Sequence, residues 1–401
     1  MTEDKPDNQT VLISREETGV PEISSSVRSL KELIERVSGR GITPQGERED
    51  AGIAEILPFP FLAIVGQKEL KLALILALIN PALGGVLLLG PRGTGKTTAV
   101  RSLVDLLPQI PRSLCFYGCL PEDIETGGID AVCPDCAKKF AEGQPLSKMD
   151  RVRLVELPLN ARLEDVVGGI DERVAIHDRL RLKRGLLAQA DKNILYVDEV
   201  NLLADEVVDA LLDAAAQGSY TVRRGAVSAV FRSRFVLIGS MNPEEGRLRP
   251  QIQDRFGLRV IVSGLTDPQE RMEAYERVQS YLSKPRQMIS QFAEETAWMQ
   301  AEIQQARDAL GGVVISKEAF QFGLKLINQL KIDSLRAEIT LFESARAHAA
   351  ADRRTEATIE DLKIIAPMAL RLRRSSYITE FLHSQQIEEA ELIKLIDRLS
   401  E

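Results

Sequence analysis

The run Gly90-Pro91-Arg92-Gly93-Thr94-Gly95-Lys96-Thr97 constrains this chain more than any other stretch, because it directly follows the apolar run Gly85-Val86-Leu87-Leu88-Leu89. Its pattern, GxxxxGK[ST] between a strand and a helix, is that of a phosphate-binding loop. Glycines let the backbone turn tightly and bring its N–H groups up against phosphate oxygens, and the following helix presents its positive end. Lys96 supplies an ammonium for the β- and γ-phosphates, and Thr97 the hydroxyl expected on Mg²⁺. Gly90, Pro91, Arg92, Gly93, Thr94, Gly95 and Thr98 complete the cradle, with a helix predicted from Thr98 to Leu107.

A phosphate loop that hydrolyses its ligand needs acids on a neighbouring strand. Asn193-Ile194-Leu195-Tyr196-Val197-Asp198-Glu199 is an apolar run ending in two. Asp198 is placed to complete the Mg²⁺ shell and Glu199 to polarise the attacking water. Phe235 to Ser240 reads as a further buried strand, and Asn242 at its end can hydrogen-bond that water and the γ-phosphate, or cap the turn into Pro243. Upstream, Ile64, Val65 and Gly66 precede a helix predicted over Lys68–Ile79, which Asn80-Pro81 ends. They are the candidates for holding adenine, with core packing the alternative for the two aliphatics. ATP and Mg²⁺ are the expected ligands.

With 401 residues and 44% hydrophobic content, two or three globular domains are expected. Lys+Arg 51 against Asp+Glu 59 gives −8, with the charges mixed along the chain. That balance carries no footprint for duplex nucleic acid. No apolar run reaches the length of a membrane span and Met1-Thr2-Glu3-Asp4-Lys5 opens no signal peptide, so a cytoplasmic protein is expected. His177, His348 and His383 are too scattered for a histidine-based centre. Residues 1–57 read as a mostly disordered leader with one short helix through Val27, Leu30, Leu33, Ile34 and Val37.

All four cysteines of the chain, Cys115, Cys119, Cys133 and Cys136, fall in one short span. A C-x₂-C pair beside a second pair suggests a Cys₄ zinc site pinning an insertion that has little core of its own. A redox-active pair and free thiols are the alternatives. Four thiolates would leave no open position on the metal, so its role would be structural. Tyr220 to Val230 alternates around Arg223-Arg224-Gly225-Ala226 and predicts a hairpin. Everything after Asp267 has helical periodicity, with Arg371, Arg373 and Arg374 expected on a solvated helix face, a subunit contact being the alternative.

Several of these segments together resemble the magnesium-chelatase ATPase subunit I family of AAA+ ATPases, from about Pro58 to Arg374. They are Phe59-Pro60-Phe61 with Ile64-Val65-Gly66-Gln67, Tyr196 to Leu203, Asn242-Pro243-Glu244-Glu245-Gly246, Leu248-Arg249-Pro250-Gln251 and Asp254-Arg255-Phe256-Gly257. The cysteine-bearing insertion also resembles members of that family. Departures are Met241 before Asn242 and Ala337 after Arg336, and neither removes a catalytic group.

The resemblance implies an α/β fold, an AAA+ P-loop domain with a parallel central sheet over 58–265 that carries the insertion at 115–136. A helical linker and an all-α C-terminal domain would follow over 266–401. It further implies a homo-oligomeric ring, expected as a hexamer, with ATP between protomers. Arg255 would be an arginine finger serving the neighbour, against a pairing with Asp254 or another local acid, and Arg336 a second sensor acting within its protomer or across the ring. A companion AAA+ subunit with a von Willebrand A-type domain and a porphyrin-binding subunit would be partners in inserting Mg²⁺ into protoporphyrin IX. Rivals of other classes are a MoxR-type remodelling ATPase and a non-enzymatic assembly scaffold that binds ATP without turnover.

Overall fold

The computed structural model describes residues 57–115, 117–170, 182–224, 227–246 and 248–373. The leader up to residue 56, His177, His383, Arg374 and the expected helices of 378–399 lie outside the described residues.

Five short runs, apolar but for Glu156, Ser240 and Arg259, make one parallel sheet: β1 (Val86–Leu89), β2 (Leu154–Leu157), β3 (Ile194–Val197), β4 (Val236–Met241) and β5 (Leu258–Ile261), in the order β5-β1-β4-β3-β2. Runs without polar alternation suit a parallel sheet covered on both faces. The pleat deals successive residues to opposite cores. Val86, Leu88, Ile194, Tyr196, Ile238, Leu258 and Val260 face one, and Leu87, Leu89, Leu195, Val197, Leu237 and Met241 the other. The second core is closed by Val207, Val208, Leu211 and Leu212.

The first core is closed by helix α1 (Lys68–Ile79), which buries Leu70, Ala73, Leu74, Leu76, Ala77, Leu78 and Ile79. A fully buried leucine of this kind contributes about 1.5–3 kcal/mol. Asn80 ends α1 and accepts from the Ala82 N–H, with Pro81 inside the next turn, so the helix has its expected bounds. Helix α2 (Lys96–Arg101) follows the phosphate loop and gives way to a 3₁₀ turn over Ser102–Leu106, shorter as an α-helix than the Thr98–Leu107 expectation. Ser102 is the reason at the element's own scale: its hydroxyl donates to the carbonyls of Thr98 and Ala99, competing with the helical ladder.

Helix α3 (Asp205–Gln217) covers the opposite face, and α4 (Pro250–Arg255) leads into β5. The expected hairpin forms from Ser219–Arg224 and Val227–Arg232.

After the sheet come α5 (Pro268–Ser283), α6 (Pro285–Gln291), α7 (Ala293–Ala309), α8 (Lys317–Leu330), α9 (Leu335–Ala351) and α10 (Ile359–Leu370). Helices α7 and α9 pack on α1, so their Ile303, Ala306, Leu341 and Ala345 continue the core beneath the sheet. The solvated face expected for the arginines that follow α10 is corrected. Arg373 has a fully buried side chain and Arg371 is mostly buried, because both find acceptors far away in sequence.

Candidate functional site

The phosphate loop leaves β1 at the carboxyl end of the sheet, beside β4 and β5, where open parallel sheets place ligands. Gly90 lets the loop pass against the next chain, since a Cβ there would meet the Val262 carbonyl oxygen at 2.0 Å. Gly95 has φ +83 with open space over it, so its backbone is free to face a ligand. Lys96 is buried, and its ammonium donates to the carbonyls of Gly90 at 2.8 Å and Pro91 at 2.7 Å. Burial lowers its pKa against the opposing pull of Asp198, Glu199 and Glu245. Thr94 donates to Pro91 at 3.0 Å and braces the turn.

The register of three adjacent strands brings the polar groups together. Val197 pairs with Gly239, so Asp198-Glu199 and Ser240-Met241-Asn242 leave neighbouring strand ends side by side. The Thr97 hydroxyl is 3.1 Å from the Tyr196 hydroxyl and 3.4 Å from Asp198 Oδ2, and Tyr196 donates to Asp198 Oδ1 at 2.9 Å. Ser240 also donates to Asp198 and accepts the Glu199 N–H at 3.1 Å. Burial pushes the Tyr196 phenol up to about 12, so it stays a protonated donor.

Glu199 holds φ +52, a left-handed conformation that a side chain adopts at a cost and that turns its carboxylate off the strand line. Arg92 reaches across to Glu199 at 3.0 Å and to Glu245 at 2.6 Å. Asn242 does cap the turn, accepting from the Glu244 N–H at 3.2 Å, while its amide donates to Glu245 at 2.9 Å. That bond and the Arg92 cation hold the Glu245 carboxyl below the usual carboxylate range. Tyr196, Ser240 and Glu245 are site residues that the motifs did not announce.

Beside the loop is a cleft of about 470 Å³ lined by Phe59, Ile64, Val65, Gly95, Leu265 and Val278 among others. Its outer wall, α5, is tied down by the Phe59–Tyr281 ring contact and by Arg277 donating to the Ala63 carbonyl at 2.9 Å. Thr98 also lines it. Gly66 turns between Val65 and Gln67 with φ +60, where a Cβ would meet Leu265 at 2.7 Å. The dimensions and the apolar walls suit a purine base next to the phosphate cradle.

Arg255 and Arg336 stand elsewhere. Arg255 precedes β5, whose Leu258 pairs with Val86 at the start of β1, whereas the phosphate loop follows the end of β1. One strand length of about 13 Å therefore separates them. Arg255 donates to Asp213 of α3 at 2.6 Å, and Arg336 is 3.6 Å from Asp254. The two arginines share one edge of the molecule, away from their own phosphate loop.

The insertion between α2 and β2 is closed at its base by the antiparallel pair Ile110–Ser113 and Ser147–Asp150. The four cysteine sulfurs lie within 4.8 Å of one another. A tetrahedral tetrathiolate with metal–sulfur bonds near 2.3 Å has sulfurs about 3.8 Å apart, so a small inward movement suffices. Cys119 N–H donates to Cys115 Sγ and Cys133 N–H to Cys119 Sγ, as amides do around thiolates. Burial raises the Cys115 thiol, but hydrogen bonds from Ser113, the Cys119 amide and the neighbouring thiols outweigh it and bring it to about 6. Burial pushes Cys119 up to about 11, and Cys136 upward as well.

Comparison with known proteins gives a consistent picture. Residues 169–257 match the MCM P-loop domain family and residues 325–393 the AAA lid domain family. The magnesium-chelatase subunit ChlI homolog of Methanocaldococcus jannaschii is 42% identical over 334 residues, 82% of this chain and 90% of that one. The magnesium-chelatase 38 kDa subunit of Acidiphilium rubrum is 42% identical over 83% of this chain and 96% of its own. A complex of magnesium-chelatase subunits BchI and BchD built on a cryo-electron reconstruction contains a chain 38% identical to this one, covering 81% and 99% of the two, with a TM-score of 0.47.

Proposed function

We infer that this chain, which belongs to the magnesium-chelatase ATPase subunit I family, is the ATP-hydrolysing AAA+ motor that drives Mg²⁺ insertion into protoporphyrin IX. The observation that carries the hydrolytic part is the strand register that sets Thr97, Asp198, Glu199 and Asn242 around one phosphate loop.

In this reading the loop amides of Gly90 to Thr97 and the Lys96 ammonium hold the β- and γ-phosphates, with the base in the cleft beside Ile64, Val65 and Gly66. Thr97 and Asp198 hold the Mg²⁺ that accompanies ATP, and that ion supplies Lewis acidity to the phosphoryl oxygens. Tyr196 and Ser240 keep the Asp198 carboxylate aimed. Glu199 accepts a hydrogen bond from the attacking water and draws its proton as attack proceeds, while the Asn242 amide fixes the geometry of water and γ-phosphate. Charge developing on the transferred group needs a further cation. Arg255 cannot supply it to its own site across a strand length, so it serves a neighbouring protomer, and the catalytic assembly is a ring, read as a hexamer. Arg336, on the same edge as Arg255, acts across the same interface.

Zn²⁺ bound by Cys115, Cys119, Cys133 and Cys136 is structural in this reading. The partners are a companion AAA+ subunit with a von Willebrand A-type domain and a porphyrin-binding subunit, and the setting is cytoplasmic. Among the described residues no helix is long and apolar enough to cross a membrane.

The test is Mg²⁺ insertion into protoporphyrin IX, followed by fluorescence, with the companion subunits of the same source and Glu199→Gln as control. Insertion should require this chain and stop with Glu199→Gln. Hydrolysis without insertion in an otherwise competent mixture would transfer the chain to the remodelling ATPases.

A further inference from the structure

The side chain of Arg255 is weakly held. Its partner Asp213 is more than half exposed, and such surface pairs are screened and contribute little. The direction in which Arg255 points is therefore set by the backbone of residues 254–257, the frayed end of α4 where helix carbonyls lose their partners. That backbone is unusually well fastened. Phe256 is fully buried against Gly239 of β4, where an added Cβ would meet its ring at 2.9 Å.

From the other side, the guanidinium of Arg373 closes the open carbonyls. It donates to the oxygens of Asp254 at 3.3 Å, Phe256 at 3.2 Å and Gly257 at 2.9 Å, to the Asp254 carboxylate at 2.7 Å and to Ala369 of α10 at 2.7 Å. Ser334, just before α9, adds a hydroxyl 3.0 Å from both Asp254 oxygens. Leu372 holds φ +57 with an exposed side chain, a strained arrangement for a leucine that turns Arg373 inward. Only a planar fork with five donors satisfies so many acceptors at once.

We propose that Arg373 is the positioning residue for the arginine finger Arg255, so that the turn following α10 determines how well a protomer serves its neighbour's nucleotide site. The proposal rests on reading Arg255 as that finger. Arg371, two residues earlier, pairs with Glu69 at the start of α1 and donates to the Arg259 carbonyl at 3.1 Å. One short strap thus ties the entry to a protomer's own cleft to the finger it lends. Ångström-scale misplacement of a catalytic group costs about 10²-fold in rate.

The experiment is subunit mixing with the full chain. Alone, Arg373→Met should lower kcat for ATP about 10- to 100-fold, with KM changed less than about twofold, because its own cleft is intact. Asp254→Asn should show the same split with a smaller drop. Mixed with Glu199→Gln chains, which cannot hydrolyse but carry a sound finger edge, Arg373→Met should regain turnover at every site that faces a Glu199→Gln neighbour. Arg255→Ala is the reference and should be rescued in the same way. Rescue of Arg255→Ala without rescue of Arg373→Met, unchanged kcat in both Arg373→Met and Asp254→Asn, or a KM effect alone would overturn the positioning role. Failure to rescue Arg255→Ala would overturn the finger reading and the inference with it.

Discussion

At the scale of single residues, the phenol of Tyr196 shows how a strand position becomes part of a site. It points into the core from β3, yet its oxygen ends between Thr97 and Asp198, the two groups that hold Mg²⁺ in our reading. Outer partners of metal-holding carboxylates fix their orientation, and their loss typically costs 10- to 100-fold in metal affinity. Tyr196→Phe is expected to raise the Mg²⁺ concentration for half-maximal ATPase by about 10-fold, with kcat at saturating Mg²⁺ nearly preserved. Titration of activity with Mg²⁺ at fixed ATP checks this, and an unchanged midpoint would remove Tyr196 from the site. Thr97, Asp198 and Glu199 were legible in the sequence because phosphate chemistry dictates residue types at fixed spacing. Tyr196 and Ser240 were not, since an aromatic or a small hydroxyl inside an apolar run reads as packing until the neighbouring strand is in place. Arg373 was misread for a stronger reason: its acceptors on Asp254, Phe256 and Gly257 lie more than a hundred residues away.

At the scale of elements, local rules located what local forces decide. Helix α1 has the expected bounds because Asn80 and Pro81 stop it, and the hairpin forms where alternation and a turn signal meet. The insertion is different in kind. Apart from its cysteines, Leu120, Val132 and Leu146 are the only buried apolar residues among the described ones of 115–146, too little to hold its two short helices, Pro121–Gly127 and Pro134–Ala141. Outside the cysteines it is fastened by ion pairs, Glu122 to Lys192 at 3.1 Å and Asp123 to Arg232. Spacing alone left zinc, a redox pair and free thiols open, and the four sulfurs lie within 4.8 Å of one another, which is the observation behind our proposal of a single bound ion. Purified protein is expected to carry about one zinc per chain. Stripping it with a chelator should expose amides of residues 115–146 to rapid hydrogen exchange while those of β1, β3 and β4 keep their protection, because the sheet has its own two cores. Slow exchange in the insertion after complete metal removal would show that the ion is dispensable there.

At the scale of the whole molecule, one fact governs the rest: the phosphate loop and Arg255, the finger in our reading, stand at opposite ends of the parallel sheet. Lys96, Asp198 and Glu199 follow the carboxyl ends of β1 and β3, and Arg255 precedes the amino end of β5. No hinge inside the protomer can bring them together without breaking the sheet, so on the proposed reading of Arg255 activity belongs to an interface. Binding of ATP, by contrast, needs only the cleft and loop of one chain. The two functions should therefore separate on dilution. Specific ATPase activity is expected to rise steeply with protein concentration until rings are complete, while ATP affinity, measured by equilibrium binding to the Glu199→Gln chain, stays nearly constant. Arg255→Ala should bind ATP like the parent yet hydrolyse it about 10³-fold or more slowly at every concentration, the scale of a lost arginine finger. Specific activity independent of concentration down to where only monomers sediment would refute the divided site, since each protomer would then be supplying every cation its own phosphates require.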